Sequence, residues 1–356
     1  MLVLTAVVAA LLPVTAHGQT SGFDPADACP VSVPEADFTD RDAIAPAHVR
    51  NVDCADAFDI VTGLDDGRFA PHLPVRRDQM ASLIARTLDA AGLVLPPAEE
   101  GTQFTDVGEN NPHRENIRRL AALGIVTGGP LGLPADQFGP ALSTRRDQMA
   151  SLLDRAATIA FLGLPPEGAQ ASTWTGASAV FPDVAPTSVH ATTIDQAAAA
   201  GLVSGFDDGT FRPALSTRRD HAASFAVRLL RFLAVPAAVD LTDVPGPTIP
   251  VGETVTATAT VLDQFGRPVT PDRCATEGEQ VRFFNSRRCT VTVAVEGASP
   301  AEQTVEPDAD GDATFTFSAT GAGTITVSAS IQGPGGLFVA ADGDSDRATL
   351  VALPAP

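Results

Sequence analysis

The sequence predicts a multidomain chain: all-α helix-loop-helix repeats first, an all-β sandwich after them. Three observations predict it. A short run of residues returns three times at a period of roughly 70, the mark of a repeated structural unit. Apolar residues inside each copy keep helical spacing. From about Val239 that spacing gives way to alternation of period two. With 356 residues, 44% of them hydrophobic, the chain can bury more than one core.

The repeated run is Asp66-Gly67-Arg68-Phe69-Ala70-Pro71, followed by Arg76-Arg77-Asp78-Gln79-Met80-Ala81. It returns as Phe138-Gly139-Pro140 with Arg145-Arg146-Asp147-Gln148-Met149-Ala150. Its third appearance is Asp208-Gly209-Thr210-Phe211-Arg212-Pro213 with Arg218-Arg219-Asp220-His221-Ala222-Ala223. Each copy opens with Phe-x-Asp: Phe38-Thr39-Asp40, Phe104-Thr105-Asp106 and Phe181-Pro182-Asp183. A His and then an apolar residue four positions on follow: His48 and Val52, His113 and Ile117, His190 and Ile194. Ile117, Leu120, Ala121 and Ile125 lie near helical spacing and predict a first, short amphipathic helix. Gly124 and Gly201 stand where a left-handed cap is wanted, and Asp59 stands there in the first copy.

The loop that follows is a tight Asp-Gly turn in copies one and three, built on Asp66-Gly67 and Asp208-Gly209, with Gly supplying positive φ. The second copy has Gly128-Gly129-Pro130-Leu131-Gly132-Leu133-Pro134 instead, a longer loop without Asp-Gly. The second helix begins at the Arg pair. Thr144-x-x-Asp147 and Thr217-x-x-Asp220 have capping-box spacing. Met80, Leu83, Ile84, Leu88 and Ala91 form one apolar face, and Pro96-Pro97 and Pro165-Pro166 end two of these helices.

In the last third, Thr254-Val255-Thr256-Ala257-Thr258-Ala259-Thr260-Val261, Thr290 to Val295, Thr314-Phe315-Thr316-Phe317 and Thr324 to Ser328 alternate strictly. They predict strands joined by Gly, Asp and Pro turns in a sandwich of about 110 residues. At the other end, Met1 to Gly18 is an apolar run closing on small residues, as a secretory signal does, though without a basic n-region. Residues 19–37 read as a leader to the first copy. The four cysteines fall two and two, which in an exported protein suggests the disulfides Cys29–Cys54 and Cys274–Cys289. Their spacing does not suit a zinc or redox site.

The formal net charge is −20, every basic residue being Arg. That disfavours nucleic-acid binding, which needs a basic face to displace counterions. Residues 38–234 nonetheless hold 17 Arg against 23 acidic residues, whereas residues 235–356 hold 6 against 16.

Phe-x-Asp, the short helix, Gly124-Ile125-Val126-Thr127-Gly128, Asp-Gly-x-Phe-x-Pro and an Arg opening the next helix together resemble the S-layer homology repeat. The resemblance covers residues 38 to about 234. It implies helix-loop-helix units, three of which pack as a pseudo-threefold, three-pronged bundle. It also implies non-covalent anchoring of an exported protein to a cell-wall polysaccharide, often one bearing pyruvate ketals. The family's Thr-Arg-Ala-Glu stands here as Arg-Arg-Asp-Gln or Arg-Arg-Asp-His. A gapless count from the preceding Phe puts the family's Arg at Arg77, Arg146 and Arg219; a count from the N-cap Thr chooses Arg145 and Arg218. The aromatic of the family's first helix is replaced by His48, His113 and His190. The turns of the last third, among them Asp263-Gln264-Phe265-Gly266-Arg267 and Asp310-Gly311-Asp312, resemble bacterial immunoglobulin-like domains of the invasin type, which implies a spacer or adhesive module.

The Arg pairs, Arg76-Arg77, Arg145-Arg146 and Arg218-Arg219, are the candidate polysaccharide-binding residues. A guanidinium fork matches a carboxylate, and helix N-terminal amides add to its pull on an anion. Two readings stay open: contact with an anionic saccharide, or pairing with a neighbouring copy's Asp to hold the bundle. The three equivalent His are better read as packing at their helix starts than as a shared metal site. Asp308, Asp310 and Asp312 resemble a calcium loop but lack its closing Glu, so a solvated turn is expected, as for Asp342, Asp344 and Asp346. Trp174 reads as a local packing anchor. No catalytic grammar is present, so no enzyme, metal or cofactor is expected.

The expected organisation is a signal at 1–18, a leader at 19–37, repeats at 38–95, 104–164 and 181–234 with an insert at 165–180, and the sandwich at 241–353. The expected function is a secreted protein held at the cell wall by an anionic polysaccharide, with no nucleic-acid partner and no membrane span after signal cleavage. The longer loop predicts that the second groove differs or is silent. The alternative is a surface adhesin or lattice component that binds protein partners through the sandwich.

Overall fold

The computed structural model describes residues 28–162, 181–234, 236–269, 290–331 and 344–354. The predicted signal, the insert with Trp174, and Cys274 and Cys289 lie outside the described residues.

Among the described residues six α-helices come first: α1 Pro46–Ala57, α2 Arg77–Ala90, α3 Arg114–Ala122, α4 Arg146–Leu162, α5 Ala191–Ala199 and α6 Arg219–Phe232. Among the described residues nine strands follow: β1 Pro236–Asp243, β2 Thr248–Pro250, β3 Thr254–Asp263, β4 Val291–Glu296, β5 Ala298–Ser299, β6 Glu302–Val305, β7 Asp312–Ala319, β8 Gly323–Ile331 and β9 Asp344–Leu353. No described helix is long and apolar enough to cross a membrane.

The short helices end as the sequence predicts. Gly124 and Gly201 take φ of 68° and 72°, and Asp59 takes 55° in the same place. A Gly bears no steric cost there, while Asp tolerates it. The long helices bury Met80, Ile84 and Leu88, Met149 and Leu153, and Phe225 and Leu229 in one continuous helical core.

Each long helix packs against the short helix of the next copy: α2 on α3, α4 on α5, and α6 back on α1. The three chain segments before the long helices meet in a closed cycle of backbone bonds. Val75 N–H donates to Thr217 C=O (2.9 Å), Thr217 N–H to Thr144 C=O (2.8 Å), and Thr144 N–H to Val75 C=O (2.9 Å). The copies therefore close on themselves rather than stacking in a line.

The leader is pinned to α1. Cys29 and Cys54 form a disulfide, Asn51 accepts the Ala28 N–H at 2.9 Å, and buried Asp53 accepts from Ala36 N–H and Arg41.

The strands form two sheets, β1-β3-β7-β5 and β2-β9-β8-β4-β6, antiparallel throughout except for β2 beside β9. Alternate residues such as Val261, Phe315, Phe317, Val293, Ile325 and Val327 point inward to one shared core, while Thr256, Thr314 and Thr316 face outward. The turn after β3 touches the helical part. Gln264 Nε2 donates to the carbonyls of Ala91 (3.2 Å) and Leu233 (2.8 Å), just past the ends of α2 and α6. Phe265 meets Phe58 edge-on at 5.7 Å.

Asp308 accepts the N–H groups of Asp310 and Asp312, so that acidic run is a self-bonded turn.

Candidate ligand grooves between the helices

The Phe-x-Asp signature builds the loops. Asp40 accepts the N–H groups of Phe69 and Ala70, Asp106 those of Phe138 and Gly139, and Asp183 those of Phe211 and Arg212, all within 2.7–2.8 Å. Ala70, Gly139 and Arg212 are left-handed, with φ of 55°, 70° and 56°. Two bonds to a charged acceptor hold a conformation that Ala and Arg resist. The Asp-Gly turns are as expected: Gly67 and Gly209 have φ of 80° and 78°. Asp66 pairs with Arg68, and Asp208 bonds Thr210 and Arg212; those bonds hold both carboxylates below their ordinary range.

Each loop so fixed receives the second Arg of the copy before it. Arg77 Nε donates to Phe138 C=O (2.9 Å), Arg146 Nε to Phe211 C=O (2.8 Å) and Arg219 Nε to Phe69 C=O (2.6 Å). Their Nη2 atoms reach Thr127, Ser204 and Thr62 carbonyls, and each guanidinium lies over the ring of the same Phe at 4.6–4.8 Å. Burial lowers the pKa of all three, to about 10 for Arg77 and Arg146. The pairing reading is therefore corrected in its partner: these cations hold the next copy by its backbone carbonyls, not by an Asp.

The first Arg of each pair turns to its own helix. Arg76, Arg145 and Arg218 each fork onto the carboxylate two residues on, Asp78, Asp147 and Asp220. Those carboxylates are buried, and each also accepts the N–H of the residue that follows it.

The helix N-termini are not open to an anion, contrary to expectation. Arg77 N–H and Asp78 N–H donate to Leu142 and Pro140 carbonyls; Arg146 and Asp147 donate to Leu215 and Pro213; Arg219 and Asp220 donate to Leu73 and Pro71. The amides a helix leaves unpaired are consumed by the neighbouring loop. The capping box is also one residue later than expected. Gln79 and Gln148 accept the N–H of Arg76 and Arg145 at 3.1 Å, whereas the Thr144 and Thr217 side chains are fully buried with no hydrogen-bond partner for either hydroxyl. Spacing alone could not choose between two registers one residue apart.

Among the described residues, two equivalent open grooves run beside α4 and α2. Along α4 a cavity of about 420 Å³ is lined by Gln148, Ser151, Arg155 and His190, with Arg77 and Arg145 at its wall. Along α2 a smaller one of about 100 Å³ is lined by the equivalent Gln79, Ser82, Arg86 and His113, with Arg219 beside them. In each the His Nδ1 meets the Ser hydroxyl at 2.8 Å, and burial holds the imidazole below its ordinary pKa. Arg155 spends one N–H on Ile125 C=O (3.3 Å). The longer loop of the second copy does make its groove different: Gly128, Gly129, Pro130 and Leu131 form one wall of the larger cavity.

The third position keeps Ser224 and His48, bonded at 2.8 Å, but aromatic rings crowd it. Phe206 and Phe225 stand 4.8 and 5.5 Å from the Arg146 guanidinium, and His221 replaces the Gln.

Gln148, Ser151 and Arg155 were not among the sequence candidates. Their signal was present: Gln-Met-Ala-Ser-Leu follows Arg-Arg-Asp in both copies, and positions i, i+3 and i+7 share a helix face.

No curated protein matches the chain. Among solved structures it is similar to one described as surface layer protein SbsC, domains 1-6, at 13% identity and a TM-score of 0.20, over 35% of this chain and 14% of that one. The family model for the S-layer homology domain matches twice, at residues 37–81 and 180–223, which are the stretches that carry the first and third copies of Phe-x-Asp and the Arg pair.

Proposed function

We propose that this is an exported, non-catalytic protein of the cell envelope, held to an anionic cell-wall polysaccharide by the grooves of a three-pronged helical ring. The repeats are 38–95, 104–164 and 181–234, and the strands, which begin at Pro236 rather than at the expected 241 and run to Leu353, form an immunoglobulin-like spacer. The observation that carries this reading is the equivalence of the two open grooves. Each presents a guanidinium, an amide and a hydroxyl along one face of the long helix and an imidazole from the start of the next copy's short helix, beside the wall formed by the second Arg of another copy. Amide and hydroxyl groups suit sugar hydroxyls, and guanidinium suits a uronate or ketal carboxylate. The two matches to the S-layer homology domain support the same partner class. In this reading Arg77, Arg145 and Arg219 shape the groove walls, while Arg86 and Arg155 meet the anion. Two weak grooves on one chain add by avidity.

The test is co-sedimentation of the full chain with native cell walls, before and after the anionic polymer is stripped. Binding lost on stripping, and weakened about tenfold or more by the R86Q/R155Q pair at unchanged thermal stability, is the expected result. Equal binding to native and stripped walls would overturn the proposal.

A further inference from the structure

The third groove differs from the others at one residue that carries chemistry. Gln79 and Gln148 close their helices by accepting the N–H of Arg76 and Arg145. His221 stands in the same place and makes no such bond. Its ring lies instead 4.6 Å from that of His48, inclined by 44°. Its Nε2 is 3.9 Å from Asp220 Oδ1. One donor atom from each of His48, Asp220 and His221 lies within 4.8 Å of the others.

We propose that His48, Asp220 and His221 bind a divalent transition-metal ion of the zinc type, tying the first copy of the ring to the third. The donor set is the reason for that class. Two imidazoles and one carboxylate suit a borderline-soft cation, whereas calcium and magnesium want oxygen alone.

The surroundings are arranged as a metal's outer shell is. His48 Nδ1 meets Ser224 Oγ at 2.8 Å, and Ser224 also accepts from Asn51 Nδ2 at 3.3 Å. A ring held through Nδ1 presents Nε2 as its ligand atom. Asp220 is fully buried and oriented by the Arg218 guanidinium. Zinc–nitrogen bonds of about 2.0–2.1 Å require the donors to draw together by roughly 1 Å, a side-chain rotation for His221. Three protein ligands leave a fourth position for water or a saccharide oxygen. His48 lies on α1 and His221 on α6, so the ion would join the two helices that close the ring.

The full chain, stripped with chelator, is titrated with zinc chloride by calorimetry and with cobalt(II) by visible absorption. The expected result is one ion per chain, a cobalt band of tetrahedral intensity, and a Tm raised by zinc. H221Q restores the residue of the other two copies, so its fold is retained. It should lower affinity at least tenfold and abolish both the band and the Tm shift, and H48Q should do the same. H72Q, which alters a His beside Arg218 but outside the cluster, should change nothing. Absence of zinc binding by the unaltered chain, or binding that survives H221Q and H48Q unchanged, would overturn the proposal.

Discussion

Val75 N–H donates to the carbonyl of Thr217 at 2.9 Å, and through that bond the first copy closes on the third. Val75, Thr144 and Thr217 occupy equivalent places in the backbone cycle. Only Val75 has no hydroxyl to bury; the hydroxyls of Thr144 and Thr217 are buried without partners. An unsatisfied buried hydroxyl costs about 1–3 kcal/mol, and replacing it with an apolar group of the same shape removes that cost. Thr144→Val and Thr217→Val are therefore expected to hold or raise the urea midpoint, with the double variant highest. Loss of stability in either would mean that the hydroxyls cap the helices after all.

Gln148 is the opposite case. Its side chain accepts the Arg145 N–H, and Gln148→Ala is expected to cost about 1 kcal/mol, the usual worth of a cap. Chemical denaturation of Q148A and T144V side by side distinguishes the two capping registers.

Arg219 joins the third copy to the first through Phe69. Arg219→Ala removes two bonds from a cation to carbonyls and a contact with the ring face, and is expected to cost about 3 kcal/mol. Arg219→Lys should recover little, because an ammonium cannot span both carbonyls in one plane. Thermal unfolding of the two variants tests this, and a Lys variant as stable as the parent would contradict it.

His113 and His190 carry a pH signature. Burial lowers both from the ordinary value of 6.5, so the unfolded chain takes up protons that the folded chain refuses. The stability they contribute is complete above pH 6.5 and is lost as pH falls toward the folded-state values. The H113Q/H190Q variant should show a shallower decline than the parent between pH 7 and 5 in denaturant titrations. Equal slopes would assign the decline to other groups.

The turn after β3 couples the two parts of the chain. Phe265→Ala with Gln264→Ala removes the ring contact with Phe58 and two bonds to helix-end carbonyls. Calorimetry should then resolve two unfolding transitions farther apart than in the parent, with the helical transition little moved. A single unshifted transition would show that the parts are joined elsewhere.

The sequence by itself determined the elements: the threefold recurrence, the helix ends at Asp59, Gly124 and Gly201, the Asp-Gly turns, the alternating strands and the Cys29–Cys54 pair. All rest on local physics, on φ preference, periodicity and short spacing, which one copy carries alone. What the Arg pairs do was not legible, because their partners belong to other copies. Arg77, Arg146 and Arg219 left two readings open in the sequence, and only the fold sets each beneath the next copy's carbonyls. The helix N-termini read as anion sites until the loops of other copies filled them. The grooves, likewise, appear only where one copy's long helix meets the next copy's short one. Only the tertiary structure decided these, since each depends on groups some 50–150 residues apart that the chain's closure alone brings into contact.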